Sequence, residues 1–398
     1  MELQEILRLD QLAKEDGRRY TRKRTPSYQR LISSLGRHFT GIVGPRGSGK
    51  TVILKQMAVQ QEGACYLSLD SLGELNLFET AKTLVEKYHF KSLLLDEIHY
   101  HKHFEGELKK IFDFLSVRIV FTSSVALAIA ESAHDLSRRV KLITLYPFSF
   151  REYLIFAKGV DLPTLTIDDI VHRRWADEHL QWGHAFEGYL KGELYPFSLE
   201  EPDVLPLLKN VLEKIIRRDV PLIMRLATDE IDLLEKVVTF IGRSPVDGIN
   251  YSSVAQNVGI TKYKAEQYIH LLAKSFVLAP LFPHGTNVLQ EPKVLMCVPY
   301  RLLFKPYDEA IGALREDFAV EAIAMSGREL HYLKSTRGMK TPDFLLQEEK
   351  GDLVIEVGGK GKGRTQFKDF SAKEKIRLTD SVDIHGDRRP LFLLGYLV

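Results

Sequence analysis

Between Gly41 and Thr51 the chain reads Gly-Ile-Val-Gly-Pro-Arg-Gly-Ser-Gly-Lys-Thr. Gly44 to Thr51 satisfies G-x-x-x-x-G-K-[ST], the phosphate-binding loop of nucleotidases. Gly44, Gly47 and Gly49 allow backbone angles that bulkier residues resist. The loop then turns its N–H groups around an anion, and the helix that follows adds the positive end of its dipole. The predicted nucleotide-binding set is Gly44, Pro45, Arg46, Gly47, Ser48, Gly49, Lys50 and Thr51. Lys50 is expected on the β- and γ-phosphates as a point charge, and the Thr51 hydroxyl on Mg²⁺. ATP and Mg²⁺ are the expected ligands.

A second group of candidates lies downstream. Ser92-Leu93-Leu94-Leu95-Asp96-Glu97 is an apolar run ending in two carboxylates, the Walker B pattern. Asp96 is expected to complete the Mg²⁺ shell opposite Thr51. Glu97 is placed to polarise the attacking water as a general base. ATP is preferred over GTP because no guanine-reading N-K-x-D follows. Thr122-Ser123-Ser124 ends another strand-like run. Ser124 is the chosen γ-phosphate sensor, with Ser123 or Thr122 as a helix cap the competing reading. Arg138 and Arg139 follow. An arginine there is expected either to stabilise the transferred phosphoryl group, in its own or a neighbouring subunit, or to be an ordinary surface charge.

These side chains need a scaffold. Thr40–Val43 reads as a strand and Thr51–Val59 as a helix, the context the loop requires. Ala64–Asp70, Ser92–Asp96, Arg118–Ser124 and Leu142–Leu145 read as further strands. The continuous apolar run before Asp96 fits a central parallel strand covered on both faces. The expected class is α/β: a parallel P-loop NTPase sheet with a helical lid, a winged helix and a C-terminal α/β restriction-endonuclease-like domain.

The 398 residues suffice for several domains. The expected division is 1–157, the ATPase core with a basic N-terminal segment; 158–228, a helical lid; 229–305, a winged helix-turn-helix; and 306–398, the nuclease-like domain. A net charge of +2 makes any nucleic-acid surface a local patch. Two distant cysteines, Cys65 and Cys297, argue against a disulfide framework. With no apolar run of membrane-spanning length and no signal peptide, a cytoplasmic protein without membrane contact is expected. Arg18 to Arg24 reads as a solvated helix end rather than a nucleic-acid contact. Asp168–Leu180 and Val204–Arg218 are the clearest lid helices.

Tyr251–Ile260 and Thr261–Leu272 read as two helices around a glycine turn, with Val277–Phe282 and Val294–Val298 as a β wing. Lys262, Tyr263, Lys264 and Gln267 stand at the start of the second helix, where groove contacts are made. DNA contact and simple packing are both open for this element. In the last hundred residues, Pro342-Asp343 and Ile355-Glu356 resemble the PD-(D/E)xK nuclease core. Asp343 and Glu356 on paired strands would share one Mg²⁺. Gly358 stands where the lysine is expected, so Lys360 takes that role if the glycines bulge.

G-P-R-G-S-G-K-T, L-L-L-D-E, T-S-S with R-R, and L-Y-P-F-S-F-R-E-Y-L occur in this order. The chain resembles prokaryotic AAA-type ATPases that carry a C-terminal restriction-endonuclease-like domain, and the resemblance spans most of its length. It implies Arg139 as the matching arginine, Glu321 and Gln366 as nuclease auxiliaries, and a homo-oligomer. The leading expectation is a Mg²⁺-dependent ATPase that switches its attached domains on DNA. The alternatives are an ATP-regulated DNA endonuclease and a nucleotide-binding scaffold with little turnover.

Overall fold

A computed structural model describes residues 3–34, 36, 38–72, 75–125, 136, 138–224, 226–285, 291–333, 341–348, 351–359, 367, 372–382 and 384–398. The chain divides into two compact units, Met1–Pro147 and Phe148–Val398. Among the described residues no helix is long and apolar enough to cross a membrane.

The first unit is built on five parallel strands: β1 (Phe39–Val43), β2 (Ala64–Ser68), β3 (Ser92–Asp96), β4 (Arg118–Ser123) and β5 (Val140–Thr144). Their order is β2-β3-β4-β1-β5. Leu93, Leu94 and Leu95 are fully buried although alternate residues face opposite sides, so β3 is covered on both faces as its composition required. Helix α1 (Leu3–Gly17) is followed by α2 (Thr25–Ser34) and packs on α3 (Lys50–Gln60) and β2. Ala13, Tyr28, Leu31, Ile53, Leu54 and Met57 close over Ile42, Leu94 and Val120 in one core. Helices α4 (Leu77–Glu86) and α5 (Phe104–Phe114) pack on each other.

Arg18, Arg19 and Arg22 are exposed just past the end of α1, as expected of a solvated helix end, whereas the backbone of this segment and Arg24 are anchored to the unit. Gln56 Nε2 on α3 donates to the Tyr20 and Arg22 carbonyls at 2.9 and 2.8 Å. Arg24, 7% exposed, is buried.

The second unit opens with the P-F-S-F-R-E-Y stretch. Ser149 and Glu152 form a reciprocal capping box that starts a short helix, α6 (Phe150–Tyr153). Phe150 lies at the centre of an aromatic core with Tyr153, Phe186, Tyr189, Phe392 and Tyr396. The distinctive motif thus seeds the core of the second unit. The single helix expected over Asp168–Leu180 is broken: Ile167–His172 ends at Arg173, which adopts φ 59°, and a new helix starts at Asp177.

Three helices follow: α7 (Thr228–Arg243), α8 (Tyr251–Val258) and α9 (Lys262–Lys274). Gly259, φ 76°, terminates α8, and the Thr261 side chain caps α9 at the Lys264 N–H. Strands β6 (Leu278–Leu281) and β7 (Lys293–Met296) form an antiparallel ribbon. A long helix, α10 (Tyr307–Met325), then packs on the second sheet. That sheet has the order β12-β11-β10-β9-β8, from β8 (Leu330–Tyr332), β9 (Phe344–Leu346), β10 (Leu353–Gly358), β11 (Glu374–Thr379) and β12 (Arg388–Pro390). β8, β9 and β10 pair antiparallel, whereas β10, β11 and β12 pair parallel. Buried Arg301 joins α10 to the end of α7, bridging Asp317 at 2.7 Å and the Ile241 and Ser244 carbonyls.

Candidate nucleotide site

The loop between β1 and α3 is held by its glycines. Gly47 and Gly49 have φ 81° and 92°. A Cβ on Gly44 would stand 2.1 Å from the Leu145 carbonyl oxygen, so only glycine fits beside the end of β5. Lys50 is buried, and its ammonium donates to the Gly44 and Pro45 carbonyls, both at 2.9 Å.

β3 delivers the two carboxylates. Asp96 Oδ1 accepts from Thr122 Oγ1 at 2.5 Å, and Oδ2 from the Tyr66 hydroxyl at 2.7 Å. The Thr51 hydroxyl also lies near enough to Asp96 to favour its charged form. The loop threonine and the strand aspartate are therefore neighbours across the site. Burial and the neighbouring Glu97 raise the Asp96 carboxyl above its ordinary value, against the three hydroxyls. Burial and Asp96 also push the Tyr66 phenol far up, so it remains a donor.

Glu97 has the opposite balance. Burial acts to raise its carboxyl, but Lys50, His99, Arg46 and the Ser124 N–H outweigh burial and hold it below the ordinary range. Ser124 N–H donates to Oε2 at 3.0 Å, His99 Nδ1 lies 3.3 Å from the same oxygen, and Arg46 is 3.6 Å from Oε1. The residue takes φ 53°, an uncommon backbone for a side chain with a Cβ. Its N–H donates to Thr122 Oγ1 at 2.9 Å. Thr122 thus links both carboxylates.

Of the strand-end hydroxyls, Thr122 is the one bonded to the acids. Ser124 Oγ is buried with no hydrogen-bond partner among the described residues, as is Ser48 Oγ in the loop. Arg139 stands elsewhere. β5 runs parallel to β1 with Val140 beside Phe39 and Thr144 beside Val43. Arg139 therefore lies just before the start of the strand, about 16 Å along it from the loop end. It pairs with Asp113 at 3.1 Å and lies over the Phe112 ring. The reading of Arg139 as a group acting within its own subunit does not survive this placement.

Residues 36–154 match the family described as an AAA domain. This stretch is an α/β P-loop domain similar to AAA domains. Residues 193–297 match a family described only as a domain of unknown function. An uncharacterized protein of Methanocaldococcus jannaschii is 26% identical over 400 residues, covering 90% of this chain and 84% of its own. An uncharacterized Haemophilus influenzae protein is 24% identical over 273 residues, covering 63% of this chain and 64% of its own. Among solved structures, a Walker-type ATPase of Pyrococcus abyssi is similar with TM-score 0.45 and 13% identity, over 70% of this chain and 94% of that one. The Thermotoga maritima RuvB Holliday junction branch migration motor gives TM-score 0.31 and 14% identity, over 65% and 89%.

Outside this stretch, the predicted DNA contacts on α9 divide. Tyr263 is 68% exposed and Gln267 is exposed. Lys262 and Lys264 are ion-paired within the second unit, to Glu291 at 2.5 Å and Glu230 at 3.1 Å. Those carboxylates cancel much of the field the lysines would offer a phosphate.

In the second sheet, the β9–β10 register sets Asp343 opposite Glu356. Asp343 N–H donates to Glu356 Oε2 at 3.2 Å, and Val357 N–H to Asp343 Oδ2 at 2.8 Å. Glu321 lies on α10. Its carboxylate accepts from Val298 N–H at 3.0 Å, and burial raises it to about 7. Glu316, about 140° away around the helix, feels the Asp343 charge and pairs with Lys293 at 2.7 Å. Lys360 and Gln366 lie outside the described residues. Among the described residues no group of three or more His, Cys, Asp or Glu is arranged to hold a metal ion.

Proposed function

We infer that the chain binds ATP with Mg²⁺ on the Lys50–Asp96 face and hydrolyses it. The observation that carries this reading is the glycine-turned loop that buries Lys50 on its own carbonyls, with the Asp96 and Glu97 carboxylates delivered beside it at the end of β3. The donor set fits the metal: an alcohol and a carboxylate adjoin, with two unsatisfied buried serine hydroxyls nearby. Magnesium held by Thr51 and Asp96 would neutralise phosphate charge.

The residues then have separate tasks. Lys50 trades the Gly44 and Pro45 carbonyls for phosphate oxygens. Arg46 and His99 orient Glu97. Glu97 accepts a proton from water as the water oxygen bonds to the γ-phosphorus and the bridging oxygen leaves with ADP. Arg139 belongs to this proposal only as a group contributed to a neighbouring copy in a homo-oligomer. The finer division of the second unit into a lid, a winged helix on α7–α9 with the β6–β7 ribbon, and a nuclease-like sheet is proposed with it, as is action on DNA.

Calorimetry and phosphate release test the core of the reading. Glu97→Gln should bind Mg²⁺-ATP as wild type does and lose turnover by roughly 10²-fold or more. Turnover at the wild-type rate would remove Glu97 from the reaction.

The bonds that tie Asp343 to the Glu356 carboxylate and the Val357 N–H favour a second reading, an ATP-regulated nuclease. Metal-dependent nicking of plasmid DNA that disappears in Asp343→Ala would support it. The same residual nicking in both proteins would dismiss it.

A further inference from the structure

Arg24 comes from the basic segment that precedes the P-loop domain's first strand. Its guanidinium donates to the Ser48 carbonyl at 3.0 Å, the Tyr146 carbonyl at 2.8 Å and the Pro147 carbonyl at 3.1 Å. Ser48 is in the phosphate loop. Tyr146 and Pro147 are the last residues of the first unit. One buried cation therefore fastens the loop to the segment that leaves β5.

We propose that Arg24 is a positioning residue of the nucleotide site. This rests on the ATP reading above. The peptide between Ser48 and Gly49 is planar and trans, so its C=O and N–H point in opposite directions. Holding the Ser48 oxygen toward Arg24 turns the Gly49 N–H away from it. Gly49 already sits at φ 92° at the start of α3, a geometry with little intrinsic preference to hold it. Three acceptors on two segments need the planar fork of an arginine. A lysine ammonium has a single nitrogen to place among them. The guanidinium also sets a fixed positive charge behind a loop that must accept an anion.

The segment carrying Arg24 has a separate anchor. Gln56 on α3 holds the Tyr20 and Arg22 carbonyls, as described above, and provides the control. Gln56→Ala loosens the segment while leaving the guanidinium. Mg²⁺-ATP binding to the full chain would be measured by calorimetry, with KM and kcat from phosphate release, for wild type, Arg24→Lys, Arg24→Ala and Gln56→Ala. Melting curves would establish that each variant is folded.

Arg24→Lys should weaken ATP binding roughly tenfold and Arg24→Ala by more, with KM rising in parallel and kcat at saturation nearly unchanged. Gln56→Ala should change affinity about twofold or less. Equal affinity in wild type and Arg24→Lys would overturn the proposal. So would an equal loss in Gln56→Ala, which would assign the effect to the seating of the segment. Absence of ATP binding by wild type would instead reject the nucleotide reading itself.

Discussion

The charged form of Asp96 is costly to the fold. Burial and Glu97 both favour its protonated form. A carboxyl raised above its unfolded value contributes stability below that value, near pH 4, and loses it as pH rises through the folded one. Asp96→Asn removes this dependence. The variant should melt a few degrees above wild type at neutral pH, with the gain shrinking as the pH approaches 4. Thermal melts across pH check the sign; a lower Tm at neutral pH would show that the lost hydroxyl contacts dominate. ATP turnover should fall sharply in the same variant. Lys50, Thr51 and Asp96 were legible because their motifs fix both residue type and the end of the strand or loop that presents it. Thr122 and Tyr66 were not. Which of three adjacent hydroxyls faces the acids depends on strand phase, and Tyr66 arrives from a neighbouring strand with no local signal. Arg24 looked like one more charge in a basic run because its three carbonyl partners are distant in sequence.

At the scale of elements, a single lysine joins the ribbon to the second sheet's helix. Lys293 on β7 pairs with Glu316 on α10 at 2.7 Å and with Asp247 at 3.0 Å, with its ammonium 5.5 Å from the Phe344 ring centroid. Burial raises Glu316 to about 7, with Asp343 adding to it and Lys293 opposing. The associated stability is present below the ordinary glutamate range and is lost as pH rises through about 7. Denaturant midpoints of the second unit should therefore fall between about pH 5 and about pH 8, and Glu316→Gln should flatten the profile. Lys293→Met alone should cost roughly 3 kcal/mol at alkaline pH, and Lys293→Met with Glu316→Leu much less. Equal losses in the single and double variants would show that the pair is not coupled. The sequence displayed these elements better than their bonds. Gly259 and Thr261 announced the α8–α9 turn through capping chemistry. The break at Arg173 carried no such mark, because arginine is an ordinary helix former.

At the scale of the molecule, the two units differ in how their cores are closed. The first is completed by segments that all lie before Phe148. The second joins its opening helix to the segment Leu391–Tyr396, whose residues are all buried. Leu165 N–H donates to the Tyr396 carbonyl at 2.8 Å, and Phe150 meets Tyr396 at 5.7 Å between ring centroids. Removing residues 391–398 withdraws apolar burial worth on the order of 10 kcal/mol, comparable with the whole stability of a domain. Limited proteolysis of such a truncation should leave a resistant fragment ending near residue 147 and digest the remainder. A resistant second unit would show that its core closes without this segment.

The aromatic residues around Phe150 also face a wait during synthesis. The P-loop sheet can fold once its own residues have left the ribosome, but Phe150 and Tyr153 emerge some 240 residues before Leu391. At about 5–20 residues per second, they spend on the order of 10–50 s without the side chains that cover them. A nascent chain of this design presents a sticky, unfinished hydrophobic surface throughout that interval, and slowing translation would lengthen its dependence on chaperones.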